Sequence, residues 1–331
     1  MNQRTRLARR WSAWALAALT ALAPLASRAQ APAFPSRPVT MLLPLATGSA
    51  GDVALRLVAQ KMAEGLKQAV VIENQPGAAG LVGTERVVRA APDGYFVGGL
   101  GDSILNYAIN LSPRPPFDPL TQLESVAMIA TIPWTLAANA ESGPKTLADF
   151  VARARANPGT MDYGSTGVGS ASHIGMEMFA SEAKLSLHHV PYRGATPAVN
   201  DAVAGHVPAV FSAVSVVLPF IRSGKLVALA VPAEQRSPLL PDVPTFAEAG
   251  VPGFNFTTWV ALFAPRGTPR PVIDRLNAEA NRAINDPQVR ERLLALGLEP
   301  KAGTPEMLGT IVATGHKRIA AIIKQHNIKA E

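Results

Sequence analysis

The chain contains no cysteine in its 331 residues. This absence excludes a disulfide framework, a lipid-modified cysteine anchor, and a thiolate that binds metal or attacks a substrate. His188 and His189 do not supply a metal site in its place, because adjacent residues of a predicted strand point to opposite faces of the sheet. We therefore expect neither a metal nor a cofactor.

No apolar run is long enough to cross a membrane. The N-terminal run extends only from Ala13 to Ala23, whereas a transmembrane helix needs about 20 apolar residues. Four arginines precede this run and the segment Ser27–Ala29 has the form of a small-x-small cleavage site, a pattern typical of a secretory signal. Residues 1–29 are therefore predicted to be a signal peptide and the mature chain to be periplasmic. Arg9-Arg10 leaves the export route open between the Sec and twin-arginine systems.

An excess of positive charge is missing once the signal is set aside. The full chain has 31 Lys and Arg against 24 Asp and Glu, a net charge of +7. Five of the arginines and no acidic residue lie in residues 1–29, which leaves 26 against 24, or +2. With no basic patch interleaved with aromatics, the composition argues against a nucleic-acid partner.

Motifs for nucleotide binding and for acyl hydrolysis are missing as well. Gly224-Lys225 is followed by Leu226, which is incompatible with a P-loop, and no G-x-G-x-x-G follows a predicted strand. The pattern G-x-S-x-G is absent, because the residues around Ser49 are out of register. We predict no catalytic residue, and a secreted hydrolase is the least favoured alternative.

Strand-like and helix-like segments alternate through the 302 residues that remain. Segments 39–43, 69–74 and 95–100 are predicted to be strands joined by helices, which indicates a parallel sheet with right-handed crossovers. The length indicates two domains. The apolar stretches 125–139 and 257–263 are candidates for the places where the chain passes between them.

The C-terminal third repeats one device, a cap residue followed by proline. Thr268-Pro269, Asp286-Pro287 and Thr304-Pro305 each place a capping side chain before a proline at the first helical position. No chemistry is assigned to these helices beyond packing. They are predicted at 269–284, 287–296 and 305–325.

A loop of small residues follows the first predicted strand. Residues 44–51 turn the chain, and Asp52 is predicted to cap the next helix. A strand end, a loop and a helix start direct several unpaired backbone N–H groups at one point, which favours an anion. An ordinary turn that binds nothing is the alternative.

A second loop of the same kind runs from Tyr163 to His173. It leads into a helix that begins near Ser170, and it contains three glycines and four hydroxyl residues. Glycines let the backbone approach a ligand closely, and hydroxyls supply adaptable hydrogen bonds. A flexible connector is the alternative. Taken together, two anion-binding helix starts in different domains fit a ligand with a carboxylate at one or both ends.

Seven motifs spread in order along the mature chain carry a resemblance to a known family. They are PSRPV (35–39), DVALR (52–56), VVIENQPGA (70–78), APDGY (91–95), YGSTG (163–167) with His173, VPYRG (190–194) and SPLLPDVP (237–244). On these motifs the chain resembles the extracytoplasmic solute-binding receptors of the Bug family, which serve tripartite tricarboxylate transporters. The resemblance covers essentially the whole mature chain.

The resemblance implies an α/β fold of the two-domain periplasmic-binding-protein (Venus flytrap) type. Each domain is expected to be a mainly parallel sheet flanked by helices, with the ligand cleft between the domains. Domain 1 is expected to comprise residues 31–131 and 260–331, and domain 2 residues 132–259. The expected partners are a small carboxylate, with aromatic carboxylates and dicarboxylates among the options, and the membrane subunits of the transporter. The receptor is expected to be a monomer.

The resemblance also implies the binding residues, since in such receptors the loops matching 45–51 and 165–170 grip the ligand carboxylate. The expected ligand-binding residues are Thr47, Gly48, Ser49, Ala50, Gly51, Ser165, Thr166, Gly167, Ser170, His173 and Ser212. Family members commonly carry an Asp-Asn pair where this chain has Ser212-Ala213, and the departure disfavours an amino-acid ligand. A sensor that reports a ligand to a membrane kinase is the main alternative to transport.

Overall fold

The computed structural model describes residues 34–328 except residues 46 and 48. The predicted signal peptide, residues 1–29, and the predicted ligand residue Gly48 lie outside the described residues. Within the described part of the chain, no helix is both long enough and apolar enough to span a bilayer.

The strands of the described chain form two sheets, one of six strands and one of five. The first strand has the predicted bounds, and its apolar side chains are mostly buried, as expected of a strand inside a parallel pair. The strands are β1 (Val39–Leu43), β2 (Val70–Asn74), β3 (Phe96–Gly101), β4 (Leu123–Ile132), β5 (Trp134–Asn139), β6 (Asp162–Ser165), β7 (His188–Pro191), β8 (Ala209–Ala213), β9 (Leu226–Ala230), β10 (Thr258–Pro265) and β11 (Glu299–Pro300).

Helices connect the strands and pack against the sheets. They are α1 (Ala50–Leu66), α2 (Leu81–Val88), α3 (Ile109–Leu111), α4 (Pro119–Gln122), α5 (Leu147–Ala156), α6 (Ala171–Ala183), α7 (Ala195–Ala204), α8 (Val214–Arg222), α9 (Arg270–Asn285), α10 (Pro287–Ala295) and α11 (Pro305–Gln325). A 3-10 turn, Ala78–Gly80, precedes α2, and a π-helical turn, Ser103–Ala108, leads into α3.

Two of the three helix N-caps predicted in the C-terminal third of the chain are confirmed. Asp286 accepts the N–H groups of the first turn of α10, and Thr304 accepts one from the first turn of α11. The prediction for Thr268 is wrong, because its hydroxyl donates to the carbonyl of Pro265 at 2.8 Å instead of accepting from α9.

Sheet A has the strand order β11-β4-β10-β3-β1-β2. The pairs β1–β2 and β1–β3 are parallel, whereas β10 runs antiparallel to both β3 and β4, and β11 antiparallel to β4. The expectation of a mainly parallel sheet is therefore wrong in this detail, and the sheet is mixed. The reason is that β10 returns from the other sheet and enters between β3 and β4 in the opposite direction.

Sheet B has the order β7-β6-β8-β5-β9 and is mixed as well. Strand β6 runs parallel to β7 and β8, and β5 runs antiparallel to β8 and β9. The chain enters this sheet at Pro133, between β4 and β5, and leaves it through residues 231–257. The two sheets with their helices form two lobes, lobe A and lobe B.

Each lobe has its own apolar core. Leu100 and Phe263 belong to the core of lobe A, and Phe179 and Phe211 belong to that of lobe B. Ile319 of α11 is buried in the core of lobe B, so the C-terminal helix joins the two lobes. The domain boundaries 31–131 with 260–331 and 132–259 remain a prediction, which the division of the strands between the sheets supports.

Candidate functional site

The first loop ends at a serine cap. Strands β1 and β3 are parallel, so their carboxyl ends lie at one edge of sheet A, where the loop after β1 begins. Ser49 has an extended backbone (φ −63°, ψ 156°), and its hydroxyl accepts the N–H of Asp52 at 3.3 Å. The prediction that Asp52 is the cap is therefore wrong, because Asp52 already lies in the first turn of α1.

Asp52 instead holds the first loop in place through hydrogen bonds of its buried carboxylate. Its carboxylate is almost completely buried and accepts Arg56 Nε at 3.0 Å and Asn74 Nδ2 at 2.7 Å. The Asn74 amide also lies 3.3 Å from the carbonyl of Leu45. The end of β2, the loop and the start of α1 are thus fixed to one another, and this carboxylate is occupied by protein groups.

The second loop ends in the same way. Strand β6 ends at Ser165, α6 begins at Ala171, and the hydroxyl of Ser170 accepts the N–H of His173 at 3.3 Å. The backbone of Ser170 is extended (φ −68°, ψ 163°) like that of Ser49. The predicted helix start near Ser170 is confirmed.

Ser172 lies at the centre of the second loop and is missing from the predicted site. It is fully buried, and its hydroxyl accepts the N–H of Thr166 at 2.8 Å. The same hydroxyl lies 3.0 Å from Thr166 Oγ1 and 2.9 Å from Ser170 Oγ. The excess of hydroxyls between Ser165 and Ser172 is the only local signal for this network, and it does not single out Ser172.

Two glycines shape the middle of the second loop. Gly167 (φ +124°) donates its N–H to Ser165 Oγ at 3.1 Å, and Gly169 (φ +72°) has a conformation that other residues rarely adopt. A Cβ atom at Gly169 would lie 2.5 Å from the side chain of Leu111. The loop therefore packs against the end of α3 in the other lobe, and a side chain at Gly169 would be strained and would displace Leu111.

His173 supports the second loop from within α6. Its Nδ1 accepts the N–H of Gly169 at 3.0 Å, and its Nε2 lies 3.7 Å from a carboxylate oxygen of Glu177. Burial lowers the pKa of His173, so the ring is neutral at pH 7. Both ring nitrogens face protein groups of the same helix and loop.

Ser212 lies near the end of β8, beside β6. It is 2% exposed, and its hydroxyl has no hydrogen-bond partner among the described residues. A buried hydroxyl is normally paired with protein or water. Thr47, in the other loop, is exposed.

The two loops share one arrangement, although they belong to different sheets. In each, a serine cap satisfies the third N–H of the helix, and the carbonyl of that serine satisfies the fourth. The first two N–H groups, of Ala50 and Gly51 in α1 and of Ala171 and Ser172 in α6, have no acceptor within their helices. Such N–H groups and the helix dipole bind anions.

The structure thus groups the predicted residues by lobe. Ser165, Thr166, Gly167, Ser170 and His173 are connected by hydrogen bonds within the second loop. Thr47, Ser49 and Gly51 belong to the first loop. In the part of the chain that the structure describes, no group of three or more His, Asp or Glu side chains is arranged to hold a metal ion.

The structure has two mixed sheets flanked by helices, and each lobe has a helix N-terminus that can bind an anion. These features define a two-lobed protein of the periplasmic-binding-protein class. Residues 54–328 match the model of the tripartite tricarboxylate transporter family receptor, and the chain belongs to this family. The resemblance inferred from the seven motifs is confirmed. Members of the family are solute-binding proteins, so the chain is not an enzyme.

Solved structures of the same class match the chain over nearly its full length. The periplasmic binding protein BugD is 32% identical, with a TM-score of 0.73, over 90% of this chain and 100% of that one. MatC from Rhodopseudomonas palustris with bound malate is 33% identical, with a TM-score of 0.73, over 88% and 100%. A second R. palustris protein, with adipate, is 29% identical, with a TM-score of 0.77, over 89% and 99%. These neighbours confirm the predicted two-lobed α/β architecture.

Proposed function

We propose that the chain is a periplasmic receptor that captures a small carboxylate between its lobes and delivers it to a tripartite tricarboxylate-type membrane transporter. The observation that carries the proposal is the matching pair of serine-capped helix starts at Ser49 and Ser170. Each offers two backbone N–H groups to an anion, and the two belong to different lobes. A carboxylate that bridges them stabilises the closed arrangement of the lobes.

The ligand class we propose is a dicarboxylate. Malate and adipate, the ligands of two structural neighbours, each carry two carboxylates. One carboxylate at each loop uses both anion sites, whereas a ligand ammonium has no acidic partner at Ser212, the position where an acid is expected. His173 contributes by fixing Gly169, and Ser172 by fixing Thr166.

Closure follows from the difference in ligand affinity between the open and closed states. Moving the equilibrium from 1:99 to 99:1 requires about 5.5 kcal/mol of that difference. A hydrogen bond to a charged group contributes about 1.5–3 kcal/mol, so three or four N–H groups on the carboxylates are sufficient. The closed state is the form that the membrane subunits recognise.

Substitution of Ser170 by Asp or Asn tests the second loop without removing the helix cap. Asp and Asn both cap helices as well as Ser does, so both variants are expected to keep the thermal stability of the parent. Only Asp adds a negative charge beside the proposed carboxylate. Calorimetric titration with malate and with adipate is expected to show at least 100-fold weaker binding for Ser170→Asp than for Ser170→Asn. Equal affinities in the two variants would rule out a carboxylate at this loop.

Delivery to a transporter is tested with the closed protein. The mature receptor, loaded with whichever of the two acids it binds, is expected to retain transporter subunits from solubilised membranes, and Ser170→Asp is expected to retain less. Retention of a membrane kinase instead favours the sensor. Consumption of either acid during prolonged incubation contradicts the receptor assignment altogether.

A further inference from the structure

The second loop rests on two stacked histidines, His173 of α6 and His189 of β7. Their ring centroids are 3.9 Å apart and the planes are inclined by 5°. His173 Nδ1 accepts the Gly169 N–H at 3.0 Å, and His189 Nε2 lies 2.5 Å from the hydroxyl of Ser165. The pair therefore contacts the loop at its beginning and near its end.

The bond from Gly169 defines the protonation state of His173. An N–H donor requires a lone pair, so Nδ1 is unprotonated and the single ring proton is on Nε2. If Nδ1 were also protonated, its N–H would point at the N–H of Gly169. Two donors cannot bond to each other, so the hydrogen bond to Gly169 would break. Loss of this bond removes the contact that holds Gly169 to His173 of α6.

Protonation also acts through the stacking of the two rings. Two imidazolium rings at 3.9 Å repel each other, and a doubly protonated His189 is restricted to donating to Ser165. The hydroxyl of Ser165 accepts the N–H of Gly167 at 3.1 Å. A displacement of His189 therefore moves Ser165 and, through it, Gly167 in the middle of the loop.

We propose that the His173–His189 pair is a proton-sensitive support for the ligand loop, which binds the carboxylate when both rings are neutral and releases it when the pair is protonated. The inference rests on the proposed function, since it assigns the pair a role in carboxylate binding. Neither histidine needs to touch the ligand, and both are positioning residues.

Several titratable groups face the pair from the neighbouring elements. Glu177 of α6, beside His173 Nε2, also lies 3.1 Å from Nδ1 of His326 at the end of α11. Tyr163 of β6 donates to Glu177 at 3.2 Å and stacks on His189. Glu177 favours protonation of His173, whereas His326 opposes it.

The adjacent residue of β7, His188, is a further titratable group near the pair. His188 pairs with Asp162 at 2.7 Å on the exposed face of the sheet. Burial, then the charges of His173 and His188, lower the pKa of His189 to about 4, and burial lowers that of His173. The support is thus neutral at pH 7 and becomes charged in acid, with His189 taking up its proton near pH 4.

Binding of malate and adipate between pH 8 and pH 4 tests the support in the parent, in His189→Gln and in a control, His206→Gln. His206 is an exposed histidine of lobe B that pairs with Asp201. The acids themselves titrate in this range, but their titration affects all three proteins equally. We expect the parent and the control to lose affinity more steeply than His189→Gln, by up to tenfold per pH unit near pH 4. Identical pH profiles in the parent and His189→Gln would overturn the proposal.

A second measurement needs no ligand and separates this inference from the proposed function. In ¹H–¹⁵N spectra of the unliganded parent, the Gly169 amide resonance is expected to shift together with the titration of the His173 ring. A Gly169 amide that stays fixed while His173 titrates refutes the support, whether or not either acid binds and whether or not the variants fold. A shifting Gly169 amide in a protein that binds neither acid leaves the support intact and refutes the proposed dicarboxylate.

Discussion

At the scale of single residues, Asp102 is a carboxylate whose burial is costly. It follows the last residue of β3 and is 5% exposed, and the Asn106 side-chain amide donates to its carboxylate. Burial raises the pKa of Asp102 to about 7, against the opposing effect of hydrogen bonds from Asn106 and Tyr107. The oxygen of the Asn106 amide has no partner among the described residues. This side chain therefore opposes folding when it is ionised.

Replacement of Asp102 by Asn is expected to stabilise the protein above neutral pH. The pKa is raised in the folded state, so the folded state binds more protons than the unfolded state between about pH 4 and pH 7, and stability falls as the pH rises through this window. The full cost is present above pH 7 and amounts to about 4 kcal/mol at most. Urea unfolding at pH 8 should show Asp102→Asn to be more stable than the parent, and the difference should vanish near pH 4.

The exposed Asp242 provides the control for this substitution. Asp242→Asn is expected to change the free energy of unfolding by less than about 0.5 kcal/mol at either pH, as is usual for surface positions. An Asp102→Asn variant that is less stable than the parent at pH 8 would mean that the ionised carboxylate favours the folded state.

At the scale of elements, the two strands that carry the chain between the lobes are joined by their first residues. The indole N–H of Trp134, at the start of β5, donates to Thr258 Oγ1, at the start of β10, at 2.9 Å. Trp134 also stacks on Phe211 in the core of lobe B. The hydrogen bond therefore ties the outgoing strand to the returning strand at the point where the lobes meet.

Substitution of Thr258 by Val removes the acceptor while keeping the shape of the side chain. The buried indole N–H is then unpaired, which is expected to cost about 1–3 kcal/mol of unfolding free energy. Thr257→Val is the matched control, since the Thr257 hydroxyl bonds a carbonyl at 3.3 Å in an exposed position and should matter little. Denaturant unfolding followed by tryptophan fluorescence measures both. Equal losses in the two variants would show that the Trp134 bond adds nothing specific.

The sequence predicts individual elements far better than their neighbours in space. The run Val39–Leu43 and the cap at Ser170 are local features, readable from apolar content and from one capping side chain before a helical pattern. The antiparallel partners of β10 are not local, because β3 and β4 lie more than a hundred residues before it. His189 illustrates the same limit within the site, since it reaches the second loop only through the pairing of β7 with β6.

For the whole molecule, three of the contacts between the lobes in the described part of the chain limit how the lobes move. Two are the strand crossings, and the third is α11, whose Ile319 is buried in the core of lobe B while its other contacts include β4 of lobe A. Motion of the lobes therefore has to bend the two crossings and slide or bend the C-terminal helix. A hinge of this kind is compatible with closure on a ligand.

Closure is expected to be visible by small-angle X-ray scattering. Addition of a bound dicarboxylate, malate or adipate, should decrease the radius of gyration of the parent, because the ligand shifts the population toward the closed state. The radius of gyration of Ser170→Asp should not decrease at the same ligand concentration. That of Ser170→Asn should decrease once the variant is saturated with ligand. A ligand that binds the parent without any contraction contradicts closure as the signal to the membrane partner.

The position of β10 also sets the order in which the chain can fold. All five strands of sheet B are consecutive, from β5 to β9, so this sheet can assemble as soon as its own segment is available. Sheet A cannot, because β3 and β4 do not pair with each other and wait for β10 between them. Until Thr258–Pro265 emerges, both strands present open edges, which are sites of mispairing and aggregation. The C-terminal third of the chain, which is synthesised last, therefore completes the sheet whose first strands are synthesised first. A chain truncated before β10 leaves the edges of β3 and β4 unpaired.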